Sequence, residues 1–217
     1  MLLRAVLKNI DYEIVKGSVD VSIENIFYNS KNVCKDSAFI ALVGYNLDGH
    51  KYIDDAIDRG ANVIFVEHDI ELDKDVTIIK LPDTRRGLSL LSANLFGNPS
   101  NKIKTIGVTG TKGKTTTTWM IKRILEEDNK TVGVIGTMGV FIKDKHYDLV
   151  NTTPESYDIH KYMKEMVDNG IEYVVMEVSS QALKLGRVEG ITFDYGVFTN
   201  LTHDHIGDGE HATMEEY

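Results

Sequence analysis

The sequence predicts an α/β protein in two parts, a small mixed α/β unit followed by a parallel-sheet unit of the phosphate-loop type. Three observations carry that reading. Strand-sized apolar runs alternate with polar, helix-like pieces along most of the chain. From Lys104 onward the order becomes strand, glycine loop, helix, strand, repeating, which is the pattern of a parallel sheet with crossover helices. Between the two regimes lies GNPSNK (97–102), a turn-rich segment that sets the boundary between domains 1–98 and 99–217. A chain of 217 residues has room for one large domain or two modest ones at ~100–200 residues each.

In the first part, apolar runs at 23–28, 38–43, 63–66 and 76–81 read as strands. The clearest helix is 83–97: Asp83 can cap its start, Leu88, Leu91 and Leu95 share one face, and Gly97 followed by Pro99 stops it. In the second part the pattern gives strand 104–109, loop 110–113, helix 114–128, strand 131–136, helix 156–169, strand 172–177 and strand 194–199. There is no internal repeat. The tail 202–217 is set apart by three histidines, five acidic residues and no Lys or Arg.

Composition excludes several classes. Hydrophobic residues make up 42% and charged residues 26%, ordinary globular usage, so the chain is neither disordered nor fibrous. The net charge is −9 and no window is strongly basic, which argues against nucleic acid as a partner. No apolar run approaches the roughly 20 residues of a membrane span. The single cysteine, Cys34, cannot form an internal disulfide, and the start of the chain turns polar too soon for a signal peptide. The expectation is a cytoplasmic protein that does not insert into membranes.

The segment 105–117 places a buried strand, a glycine turn and a helix start in succession, the order that polyphosphate binding requires. Gly110 and Gly113 let the loop curl so that backbone N–H groups converge, and the helix start adds positive potential. Lys114 then reaches terminal phosphates, and Thr115 can offer its hydroxyl to Mg²⁺. The strict spacing would have its first glycine at 108, where this chain has Val108, with glycines at 107 and 110. The β-branched run 116–118 is unfavourable in a first helical turn and fits hydrogen bonding near phosphates better.

Other residues could complete a site. The strand 172–177 ends in Glu177, at the edge where parallel sheets bind ligands, so this carboxylate could hold Mg²⁺ beside the phosphates. The strand 194–199 runs into His203, Asp204 and His205. Their spacing to His211 matches no common zinc set and no cysteine is near, so a magnesium or nucleotide contact through His205, or a solvated loop, is favoured over zinc, which stays open as the minor reading. NTTPE (151–155) reads by itself as a capped helix start, with Pro154 where the helix begins and Glu155 in its first turn.

Together, GVTGTKGKTTT (107–117), NTTPE (151–155), MEVSSQAL (176–183), GRV (186–188) and FTNLTHDH (198–205) resemble the Mur ligase family in order and separation. The stretch 23–67 is similar to the UDP-binding domain of its members that extend a muramoyl dipeptide, so the resemblance covers nearly the whole chain. It implies ATP-dependent amide synthesis for peptidoglycan precursors: an acyl phosphate forms on UDP-N-acetylmuramoyl-L-alanyl-D-glutamate and an amino acid displaces phosphate. It further implies a nucleotide site of Gly110, Thr111, Gly113, Lys114, Thr115, Thr116 and Asn200, with Thr115, Glu177 and His205 on Mg²⁺. Lys114, Glu177 and His205 would be the catalytic set. Ser30, Asp48 and His50 would touch the UDP part, and Asn151, Thr152, Thr153, Ser179 and Arg187 the muramoyl-peptide.

The chain departs from the family pattern at several points. The usual Asp-Ser-Arg triplet is Asn29-Ser30-Lys31, a histidine is replaced by Gln181, and the loop after His205 is two residues longer. A lysine carbamylated in the family, the rest of the central sheet and the C-terminal domain all lie past Tyr217, so these 217 residues alone are expected not to ligate. The motif that selects the added amino acid also lies there. Two other readings remain open: another Mur or folylpolyglutamate-type ligase, and a non-catalytic ATP- or UDP-sugar-binding module.

Overall fold

The computed structural model describes residues 1–44, 48–207 and 210–217. It divides into two compact units, Met1–Leu95 and Phe96–Tyr217. The chain is mixed α/β, with a parallel sheet at the heart of each unit. Among the described residues no helix is long and apolar enough to cross a membrane.

The first unit holds α1 (Leu3–Val6), β1 (Glu13–Lys16), β2 (Ile26–Phe27), β3 (Ser37–Ile40), α2 (Ile53–Asp58), β4 (Ala61–Val66), β5 (Thr77–Lys80) and α3 (Thr84–Leu95). Its sheet has the order β1-β5-β4-β3-β2, parallel except for β1. Strands β3, β4 and β5 are almost wholly buried, so they carry continuous apolar runs rather than alternation, and Phe39, Ile64, Val66 and Ile78 meet in the core. Helix α3 begins where Asp83 Oδ1 accepts the N–H groups of Arg85 and Arg86, both at 2.9 Å. Leu88 and Leu91 are buried on it while Leu95 is only half-buried. Two elements were not legible in the sequence: α1, a single turn, and β1, whose four residues are all exposed and give no apolar signal. The run 23–28 pairs over only two residues, because Ile26 and Phe27 alone align with β3.

The second unit holds β6 (Lys104–Thr109), α4 (Lys114–Glu127), β7 (Val132–Gly136), β8 (Gly139–Ile142), β9 (Lys145–Tyr147), α5 (Ser156–Asp168), β10 (Tyr173–Glu177), α6 (Ser180–Lys184) and β11 (Tyr195–Phe198). The sheet order is β11-β6-β10-β7-β8-β9, with β11, β6, β10 and β7 parallel and the hairpin β8–β9 added antiparallel. That hairpin and α6 are missing from the sequence expectation, being short and lacking a clear period. The segment 97–102 is less of a linker than expected: Pro99–Lys102 forms a 3-10 turn whose Pro99 and Ser100 are buried in this unit. Glu155 stands just before α5 with extended backbone instead of inside the first turn.

Helix α5 buries Ile159, Met163 and Met166 in the core, and with them His160, which is 0% exposed. Neither ring nitrogen of His160 has a hydrogen-bond partner, and burial alone pushes its imidazole down from 6.5 to about 4. The folded chain therefore binds this proton less tightly than the unfolded one. The associated stability is complete above pH 6.5 and is lost as pH falls toward about 4, by roughly 3 kcal/mol in all. Urea unfolding at pH 7 and pH 4.5 should show the wild type losing roughly 2–3 kcal/mol more than His160→Leu; equal losses would refute the assignment.

Candidate functional site

Register brings the site together. Glu177 on β10 pairs with Val108 on β6, Ile135 on β7 pairs with Met176, and Phe198 on β11 pairs with Thr109. The carboxyl ends of four parallel strands thus finish side by side, and the segments leaving them form one rim, the usual place for a ligand in such a sheet. A cavity of about 320 Å³ opens there, lined by Thr111, Gly113, Lys114, Thr115, Thr116, Thr137, Thr152 and Glu177.

The loop 110–113 is tight for identifiable reasons. Gly110 has φ +128°, and a Cβ there would lie 2.2 Å from Thr199 Oγ1 and 2.8 Å from the Asn200 carbonyl oxygen. Gly113, at φ +83°, precedes α4 without any side-chain cap, so the helix's first N–H groups face the cavity unassisted. Lys114 Nζ donates to the carbonyls of Gly110 (2.7 Å) and Thr111 (3.1 Å), folding its ammonium back over the loop. Asn200 holds the loop from outside: its Oδ1 accepts Lys112 N–H at 3.1 Å and its Nδ2 donates to Lys112 O at 3.0 Å. Thr111 is buried, with its hydroxyl engaged by Thr202 N–H (3.0 Å) and Tyr217 O–H (2.8 Å). Thr116 is exposed at the cavity rim.

Glu177 is the centre of the rim. Its side chain is 1% exposed, yet Thr115 Oγ1 donates to Oε2 at 2.8 Å, Thr137 N–H to Oε1 at 2.9 Å and Thr137 Oγ1 to Oε2 at 3.2 Å. Its carbonyl accepts Thr153 Oγ1 at 2.9 Å, and Thr153 Oγ1 in turn accepts Ser179 N–H at 3.0 Å. Arg187 Nη1 donates to Thr153 O at 2.9 Å while its Nε meets Glu155 Oε1 at 2.6 Å. Thr153, Ser179 and Arg187 therefore fasten the 151–155 turn to β10, whereas Thr152 reaches the cavity and Asn151 is exposed.

One expected member sits elsewhere. His205 does not line this cavity: it has φ +55°, and its Nδ1 lies 3.2 Å from Glu210 Oε1 with Tyr217 against its ring. The longer loop after it includes Asp208 and Gly209, which lie outside the described residues. Among the described residues the tail histidines form no metal-holding group. Thr137 and Gly136 were missed by sequence reasoning, because nothing in the strand end Gly-Thr shows that β7 lies next to β10.

In the first unit, a separate cavity of about 480 Å³ is lined by Asn29, Ser30, Lys31, Gly49, Tyr52 and Arg85, among others. Asn29 Oδ1 accepts Lys31 N–H at 3.1 Å, so the amide caps the turn from the position where the family pattern has a carboxylate. The Ser30 hydroxyl bonds Asp55, the leading reason the Asp55 carboxyl lies below its ordinary range. His50 is mostly buried and committed: Glu67 N–H donates to Nε2 at 3.1 Å, which leaves the ring proton on Nδ1, 2.6 Å from Asp48 Oδ1. The N–H of His50 also holds the Asp48 carboxyl below its usual range. Asp48, His50 and His68 bring ligand atoms within 4.8 Å of one another, but both His50 nitrogens are in use: Asp48 and His50 form a hydrogen-bonded clamp, and the His68 ring stacks on His50.

Comparison with known proteins agrees with this architecture. The model of the Mur ligase middle domain matches residues 108–217, and that of the Mur ligase family, catalytic domain, matches residues 22–94. The chain belongs to the Mur ligase family. It is 48% identical over 217 residues to a UDP-N-acetylmuramoyl-L-alanyl-D-glutamate--2,6-diaminopimelate ligase of Clostridium perfringens, covering all of this chain and 44% of that one. A ligase of the same name from Clostridium tetani is 49% identical over 220 residues, covering all of this chain and 45% of the relative. The chain thus spans less than half the length of these curated relatives. Among solved structures, one of a UDP-N-acetylmuramoyl-L-alanyl-D-glutamate--2,6-diaminopimelate ligase superposes with TM-score 0.84 at 23% identity, covering all of this chain and 43% of that one. MurF ligase of Thermotoga maritima, in complex with ADP, gives 0.56 at 22% identity over 88% of this chain and 40% of its own. Both likenesses are of fold.

A Cβ on Gly136 would lie 2.2 Å from Glu177 Oε1. Gly136→Ala should therefore displace the carboxylate and destabilise the second unit by about 1–3 kcal/mol, read as a lower urea midpoint at unchanged m-value.

Proposed function

We propose that this chain forms the UDP-muramoyl-binding and ATP-binding part of an ATP-dependent ligase that adds an amino acid to UDP-N-acetylmuramoyl-L-alanyl-D-glutamate in peptidoglycan precursor synthesis. The observation that carries the reading is the convergence of Lys114, Thr115 and Glu177 at the uncapped start of α4. In the two relatives described above the added amino acid is 2,6-diaminopimelate, and the identity over the whole chain supports the same choice here.

The residues fit the groups this reaction needs. A buried carboxylate beside a threonine hydroxyl offers the hard oxygen atoms that suit Mg²⁺, which Thr115 and Glu177 would hold. ATP supplies the phosphoryl group that turns a poorly electrophilic carboxylate into a good acyl donor. Lys114, now resting on loop carbonyls, would exchange them for phosphate oxygens and offset their charge, assisted by the N–H groups at the start of α4. Thr116 and the backbone of 110–113 would complete the phosphate cradle. Asn200 acts on the nucleotide through the loop it clamps. His205, whose Nδ1 faces Glu210, would join the metal through Nε2.

The 151–155 turn, anchored by Arg187 and Ser179, would present Thr152 to the muramoyl-peptide at the same cavity. In the first unit the cavity beside Ser30 would take the uridine diphosphate end, with the Asp48–His50 clamp shaping its Gly49 wall.

Calorimetric titration tests the reading directly. The chain should bind Mg-ATP and, separately, UDP-N-acetylmuramoyl-L-Ala-D-Glu. Lys114→Ala should weaken Mg-ATP by at least about tenfold while leaving the melting transition in place. Failure to bind either ligand, or nucleotide affinity that survives Lys114→Ala, would count against it.

A further inference from the structure

The hydrogen bonds around Glu177 leave the Thr137 hydroxyl with two partners and one proton. Its Oγ1 lies 3.2 Å from Glu177 Oε2 and 3.1 Å from Thr152 Oγ1. A carboxylate only accepts, so the Thr137 proton goes to Glu177, and the contact with Thr152 is closed by the Thr152 proton. The chain of donation therefore runs from Thr152 to Thr137 to Glu177. In this arrangement Thr152, which lines the cavity, offers only lone pairs to whatever sits there. That is the wrong sense for a phosphate or carboxylate.

We propose that Thr137 is a hydroxyl relay that makes Thr152 a donor to the anionic substrate only when Glu177 has taken a divalent cation. The inference rests on the function proposed above and deepens it. With Oε2 engaged by a cation, the Thr137 hydroxyl loses its acceptor and turns its proton to Thr152 Oγ1. The Thr152 proton is then released toward the cavity. No covalent bond changes; one hydroxyl rotor has two settings, and both ligands bias it, which is the physical requirement for coupling between sites. The surroundings keep other routes closed. Thr137 N–H is fixed on Oε1, and Thr153 is committed to the Glu177 carbonyl. Thr137 is in this sense a positioning residue, acting through Glu177 and Thr152.

The test measures the affinity of the chain for UDP-N-acetylmuramoyl-L-Ala-D-Glu by calorimetry with ADP present, at saturating Mg²⁺ and in EDTA. Wild type should bind about fivefold or more tighter with Mg²⁺, the low end of ordinary site-to-site coupling. Thr137→Ser keeps the hydroxyl and should keep that ratio. Thr137→Val and Thr152→Val should each reduce it to less than about twofold, and the double variant should lose nothing further, as expected of two members of one chain. A merely structural role would lower both affinities and leave their ratio alone. If Thr137→Val retains the wild-type ratio, or if wild type binds both ligands with no Mg²⁺ effect, the relay is overturned and the proposed function stands. If wild type binds neither ligand, the function reading fails and the relay with it.

Discussion

Burying the carboxylate of Glu177 is the constraint around which the second unit is arranged. An unpaired anion taken from water costs several kcal/mol, and among the described residues no Lys or Arg forms an ion pair with it. Neutral donors must do the work. They come from the start of α4 and from the residue after β7, while Thr153 holds the backbone of Glu177 from the 151–155 turn. Gly136 is required because the carboxylate occupies the space of its Cβ. Helix, sheet and turn positions are thus tied to one residue, and the cavity beside it inherits their rigidity.

The first unit solves a related problem differently. The turn at 48–50 is secured by a histidine whose two ring nitrogens face a carboxylate and a backbone N–H, and this fixes one neutral tautomer. The same logic explains why the trio Asp48, His50 and His68 has ligand-like spacing without ligand-like freedom. His50 contributes through the shape of the turn more than through an open nitrogen.

Much of this was legible in the sequence, and the exceptions have physical causes. Strand, glycine loop and helix at 104–128 read correctly because each local preference agrees with the tertiary outcome. Glu177 was visible because a charge at the end of an otherwise apolar run marks a strand terminus. Thr137 was invisible because its value depends on β7 lying beside β10, a register that no local pattern encodes. The hairpin β8–β9 was hidden for a similar reason: two strands of four and three residues carry too few alternations to display a period. His205, expected near a metal, has a positive φ and its Nδ1 faces Glu210, a placement that no local pattern announces. The boundary segment 97–102 misled by composition, since Gly, Pro, Ser and Asn serve as well in a packed 3-10 turn as in a tether.

The displaced first glycine of the loop follows from the sheet. Val108 is fully buried and paired on both sides, with Glu177 of β10 and Val197 of β11, so the strand must continue through it. A glycine there would weaken the one strand that the sheet places between β10 and β11. Thr109 is still in register, opposite Phe198, and only at Gly110 does the backbone leave the sheet. Two left-handed glycines, at 110 and 113, then complete the reversal within four residues. What the strict pattern does with a longer loop, this chain does with a longer strand, and Asn200 and Thr199 supply the bonds that keep so short a turn closed. The cradle at α4 thus depends on β11 as much as on its own glycines. Loosening that edge strand would open the loop without altering any residue in it.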